Sequence, residues 1–189
     1  MPTLKLTLEY DGTGFSGWAA QPGQRTVEGE LARALDTVFS SWNGLAVAGR
    51  TDTGVHARGQ VASLTAEAGP PAQRAGEALN AILPDDVAVV ASEEAAEGFH
   101  ARFSARARTY RYRIWRRRTP SPFENRRSFW HPRPVDETRL AELTQLVVGE
   151  HDFRAFTPTE TQHGVFIRFV EEARWEREGD ALELTITAD

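Results

Sequence analysis

The chain has 189 residues, 40% of them apolar, no cysteine and a formal net charge of −5. That length supplies one large domain or two small ones, and the absence of thiols excludes disulfides and thiolate metal sites and fits a reducing compartment. No stretch approaches about eighteen apolar residues and no basic-then-apolar leader opens the chain, so the expectation is a soluble, cytoplasmic protein with no membrane partner.

In chain order, residues 3–10 (TLKLTLEY) alternate as a strand, and residues 11–25 form a glycine-rich loop. Thr26 then opens a helix whose apolar positions, Val27, Leu31, Leu35, Val38 and Phe39, recur at spacings of three and four. Strands are predicted near 45–49 and 59–65. A second helix runs from about Ala72 to Leu83, stopped by Pro84, and a strand covers Val87 to Ala91. The order β-α-β-β-α-β is that of a ferredoxin-like unit, and the fold class is α+β. The Asp85-Asp86 pair reads as a solvated approach to that last strand.

The pattern starts again in the second half. Thr109 to Arg116 alternates, with Tyr110, Tyr112 and Ile114 on one face and Arg111, Arg113 and Trp115 on the other. Asp136 is placed to cap a helix carrying Leu140, Leu143 and Val147, with Gly149 as its C′ residue. Strands near 165–175 and 181–187 follow, joined by a turn at Glu178-Gly179-Asp180. The reading divides the chain into residues 1–98 and 99–189. After Asp189 a second full unit would still need a helix and a strand, so the second half is expected to be truncated, either as a fragment or by loss.

The net charge conceals a local bias. Between Glu97 and Glu124 there is no acidic residue, while Arg102, Arg106, Arg108, Arg111 and Arg113 fall inside that interval together with Arg116, Arg117 and Arg118. For a polyanionic partner the local sign matters more than the total. These arginines fit contacts to a nucleic-acid backbone, and equally a strand face guarded by charge. Five histidines, His56, His100, His131, His151 and His163, show no metal-ligand spacing, and Gly12-Thr13-Gly14 lacks the context of a phosphate loop.

The most informative stretch is Ala48–Val61, AGRTDTGVHARGQV, in which Asp52 stands between Arg50 and Arg58. Such a carboxylate, ionised at neutral pH with a reference pKa of about 4, is a competent nucleophile. It fits the closure of an Asx-turn just as well. Arg50 and Arg58 could fold toward it or remain solvated. A glycosidic hydrolase would need a second carboxylate nearby, for which Asp11 and Glu9 are the candidates.

The segment GRTDTGVHA resembles the active-site loop of the tRNA pseudouridine synthase A family. Further blocks agree in order: Tyr10-Asp11-Gly12-Thr13 with Phe15 and Gly17-Trp18, Arg25-Thr26-Val27, Phe99-His100-Ala101-Arg102-Phe103-Ser104, Tyr110-Arg111-Tyr112, and Gly149-Glu150-His151-Asp152-Phe153. The resemblance implies the pseudouridine synthase fold, two ferredoxin-like halves sharing a mixed or antiparallel sheet. It implies isomerisation of uridine to pseudouridine in the tRNA anticodon stem-loop, at positions 38, 39 and 40, by a cofactor-independent, metal-free homodimer. Asp52 would be the nucleophile, attacking either ring C6 or sugar C1′. Tyr110 would stack on the base and help move a proton, with Arg50 and Arg58 as substrate-binding residues. Ala19 departs from the family's usual glutamine, and the family's C-terminal arginine has no counterpart before Asp189. The rival reading is a truncated, catalytically impaired RNA-binding relative.

Overall fold

The alternation at the N-terminus becomes strand β1 (Thr3–Tyr10), which buries Leu4, Leu6, Leu8 and Tyr10 on one face and leaves Lys5, Thr7 and Glu9 on the other. A computed structural model describes residues 3–157 and 164–189, so His163 lies outside the described residues. These residues fall into two compact units, Met1–Ala105 and Arg106–Asp189.

In the first unit, Thr26 caps helix α1 (Val27–Val38), its side chain accepting from the Gly29 amide. Val27, Leu31, Ala34 and Leu35 are buried along one stripe, and Phe39 is the buried C-cap residue. Strands β2 (Ser41–Val47) and β3 (Ala57–Glu67) lie either side of the Asp52 loop; β2 starts four residues before its expected bounds and ends two short of them, and β3 runs two residues past both of its own. Helix α2 (Ala72–Asn80) stops short of the expected Leu83, because a turn closed by the Ile82 and Leu83 amides on the Leu79 carbonyl precedes Pro84. Strand β4 (Val87–Glu94) completes an antiparallel sheet in the order β2-β3-β1-β4. The register of Leu4 with Leu64, Leu6 with Ala62 and Leu8 with Gln60 puts these side chains on one face. There they join α1 and α2 residues in a single core. Burial on this scale contributes about 1.5–3 kcal/mol for each large aliphatic side chain.

The second unit holds β5 (Arg108–Trp115), β6 (Phe129–Trp130), α3 (Glu137–Gln145), β7 (Gly149–Asp152), β8 (Ile167–Glu178) and β9 (Ala181–Ala188), with sheet order β6-β5-β9-β8-β7. Its β8-β9-β5 arrangement repeats the β2-β3-β1 arrangement of the first unit. Beside β5, where the first sheet has β4, stands the two-residue β6, parallel to it. Backbone pairing groups the strands into two sheets, one in each unit. Strands β2 and β4 are the outer strands of the first sheet, β6 and β7 of the second.

Two boundaries shift. Residues 99–105 belong to the first unit: Ala101 is buried and its amide donates to Ser63 Oγ on β3 at 2.9 Å. Asp136 does cap α3, accepting from the Arg139 amide, but Gly149 is not the C′ residue. The helix ends at Gln145 with Leu146 as C-cap, and Gly149, at φ 102°, instead begins β7.

Candidate active site

The loop between β2 and β3 is held from below by the glycine-rich loop after β1. Trp18 donates its amide to the Thr51 carbonyl at 2.9 Å, and the Gly54 amide reaches the Phe15 carbonyl at 3.3 Å. The approach is so close that glycine is required. A Cβ at Gly12 would lie 2.0 Å from the Val55 carbonyl oxygen, and one at Gly17, at φ +91°, 2.8 Å from the Thr51 oxygen. Side chains finish the cradle. The Tyr10 hydroxyl meets Thr51 Oγ1 at 2.8 Å, while Gln60 donates to the Tyr10 hydroxyl at 3.3 Å and to the Gly49 carbonyl at 2.7 Å. Tyr10 and Gln60 are buried, so these bonds act where water does not compete.

His56 closes the far side, its Nδ1 accepting from the Gly12 amide at 3.1 Å. Asp11 Oδ1 lies 3.1 Å from the same nitrogen and accepts from the Thr13 amide.

The cradle is itself anchored to β4. Arg25 makes two hydrogen bonds to Asp86, of 2.7 and 2.8 Å, one to Glu30 at 3.0 Å, and stacks 4.1 Å from the Phe15 ring centroid. Asp86 also accepts the Asp11 amide on its backbone carbonyl at 3.0 Å. Asp86 is therefore no solvated approach residue. Hydrogen bonding from Arg25 holds its carboxyl below the usual carboxylate range, and the same bonds raise the guanidinium.

On this support Asp52 is exposed, and among the described residues its carboxylate takes part in no hydrogen bond or ion pair. Its backbone carbonyl accepts the Val55 amide at 3.1 Å, closing the turn through the main chain. The Asx-turn that the residue type allowed is not made. Arg50 and Arg58 are exposed and do not fold toward Asp52: neither makes an ion pair among the described residues. Neither candidate second carboxylate joins it. Asp11 is turned to Thr13 and His56, and Glu9 projects from the sheet face opposite the core.

The remaining sequence candidates are distributed between the units. Arg102 is exposed on the first unit and Arg106 begins the second. On β5, Tyr110 is 52% exposed and does not pack in a core. Arg111 pairs with Glu183 at 3.2 Å and stays largely exposed. Arg113 is committed internally: it binds Glu124 at 3.0 Å, Glu178 at 2.7 Å and also Glu183, and hydrogen bonding to Glu124 raises its guanidinium pKa. Three carboxylates satisfy that side chain and leave it little capacity for a polyanion. Arg108 takes part in interactions of its own. Among the described residues no cluster of three or more His, Asp or Glu could hold a metal ion, and no helix is long and apolar enough to cross a membrane.

Sequence reasoning missed Tyr10, Gln60 and the Arg25–Asp86 clamp as supports of the loop. Tyr10 and Arg25 stood within the blocks of resemblance, but Gln60 and Asp86 carry no local signal, since each acts across the fold.

A family profile described as tRNA pseudouridine synthase matches residues 7–104, which contain the cradle, the Asp52 loop and the segment tied to Ser63. The chain belongs to the tRNA pseudouridine synthase family. The tRNA pseudouridine synthase A of Bacillus licheniformis is 40% identical over 185 residues, 97% of this chain and 75% of the relative. That of Moorella thermoacetica is 41% identical over 192 residues, 100% of this chain and 78% of its own. The Bacillus subtilis (strain 168) protein is 39% identical over 186 residues, covering 97% and 75%.

Proposed function

We propose that this chain isomerises uridine to pseudouridine in the tRNA anticodon stem-loop, at positions 38, 39 and 40, with Asp52 as nucleophile. The observation that carries the reading is an exposed carboxylate without a side-chain partner among the described residues, on a loop whose backbone is held at Thr51, Gly54 and Val55. A rigidly carried, unneutralised carboxylate is ready to add to an electrophilic carbon without first breaking an ion pair. In the reaction the N1–C1′ bond breaks, a C5–C1′ bond forms, C5 loses its proton and N1 gains one. Reactants and products balance, so no metal, nucleotide or redox cofactor is consumed. Addition of Asp52 to C6 or to C1′ fits the same exposed position.

An extruded uracil needs a flat apolar partner, and Tyr110 offers an exposed ring with a hydroxyl to relay the proton. Arg50 and Arg58, exposed on either side of Asp52, would fill the space the base leaves or grip its phosphates. Arg102, Arg106, Arg108 and Arg111 would track the backbone, positioning the tRNA without reading its sequence. Arg113 has the different task of tying β5 to β9 through Glu183. The same reading places the protein in the cytoplasm as a homodimer in which one tRNA touches both subunits.

Tritium at uracil C5 is released when carbon replaces nitrogen at the sugar, so tritium release from unmodified tRNA tests the reading. Asp52→Ala is expected to abolish release while leaving tRNA affinity close to that of the parent. Retained turnover would remove Asp52 from the role.

A further inference from the structure

The sheet of the first unit has one face covered by α1 and α2, and residues 99–104 cross the other. They are pinned there by the buried Ala101, whose amide bonds Ser63 Oγ, and by Lys5, 5.8 Å from the Phe99 ring centroid. Local bonds stiffen the rest of the turn. The Phe103 and Ser104 amides both donate to the His100 carbonyl, at 3.0 and 2.8 Å, and the His100 amide donates to Ser104 Oγ at 3.1 Å. The Arg102 amide reaches His100 Nδ1 at 3.3 Å.

What this braced turn presents is Phe103, 78% exposed. One side of its ring stacks on His100 with centroids 4.5 Å apart and planes 28° from parallel, and the Arg102 guanidinium stands 5.8 Å from its centroid. A large aromatic held in water by a well-bonded backbone gains nothing from burial, so packing does not account for its position. A flat ring with a guanidinium over it at 5.8 Å, in a stretch without acidic residues from 98 to 123, has the chemistry of a stacking platform for single-stranded nucleic acid.

We propose that Phe103, backed by His100 and flanked by Arg102, is a second base-binding site that stacks an unpaired nucleotide of the RNA substrate, apart from the uridine delivered to Asp52. The inference rests on the reading of this chain as acting on tRNA. Its anchor, Ser63, lies six residues along β3 from Ala57, where the Asp52 loop ends. At the rise of an antiparallel strand that is about 20 Å, roughly six stacked nucleotides, so one single-stranded loop could touch both sites.

The test is binding of a fluorescent, unmodified tRNA transcript to Phe103→Ala, Phe103→Tyr and Phe103→Leu over a range of salt. Loss of one stacked base is expected to weaken Phe103→Ala about tenfold, with the Tyr variant restored and the Leu variant not. The slope of log affinity against log salt should stay at the parent's value, since no phosphate contact is lost. Thermal unfolding should not move, because the ring is exposed. Unchanged affinity in Phe103→Ala, full rescue by Leu, or a change in self-association with RNA affinity intact would each overturn the platform. Failure of the parent chain to bind the transcript would overturn the RNA reading as well, whereas a parent that binds and releases tritium beside an unaffected Phe103→Ala would sink this inference alone.

Discussion

Gly12→Ala should disable the Asp52 loop without touching a single reactive atom. The added Cβ would stand 2.0 Å from the Val55 carbonyl oxygen and 2.4 Å from its carbon, both backbone atoms. An ordinary carbon–oxygen contact needs about 3.4 Å, so the loop must retreat by roughly 1.4 Å. A misplacement of about 1 Å at a reacting group costs on the order of a hundredfold in rate, and overpacking of this kind costs about 1–3 kcal/mol in stability. Single-turnover tritium release is therefore expected to fall about a hundredfold while tRNA affinity holds. Gly23→Ala supplies the control. At φ +72° it carries backbone strain, but nothing lies within 4 Å of the new methyl, so stability falls while turnover persists. Unchanged turnover in Gly12→Ala, or an equal loss in Gly23→Ala, would refute the view that the cradle sets the position of Asp52.

Other outcomes follow from the same structure. Leu31→Ala, fully buried in the core of the first unit, should cost about 2–5 kcal/mol, read from chemical denaturation of that unit's transition. Asp86→Asn should loosen the Arg25 clamp in a pH-dependent way. Because the folded pKa of Asp86 is depressed, its stabilisation is complete above the unfolded value of about 3.9, starts to fade below it and is lost as pH falls through the lower folded value. The difference in melting temperature between parent and variant should accordingly be steady near neutrality and shrink in acid; a constant difference would discharge the clamp. Removing Arg106 should lower the salt dependence of tRNA binding by about one phosphate contact, whereas Arg113→Ala should leave it alone and destabilise the second unit. Equal salt slopes in both variants would show that the ion pairs of Arg113 do not decide its availability.

The strand alternation of Thr3–Tyr10, the three-and-four spacing from Val27 to Leu35 and the cap at Thr26 are local patterns. They let the chain by itself determine the element order of the first βαββαβ unit, with element ends displaced by up to four residues. The GRTDTGVHA motif likewise singled out Asp52. The boundary at Ala105, the short β6 and the early end of α3 were not legible, because each depends on pairing or packing with residues far away in sequence. The same holds for electrostatics. Sequence shows Asp52 between two arginines and Arg113 in a basic run, yet among the described residues folding leaves the Asp52 carboxylate without a partner and surrounds Arg113 with three carboxylates. Which charges meet is decided by strand register and loop contacts, which set the distances over which ion pairs act; composition and spacing along the chain carry no such distances.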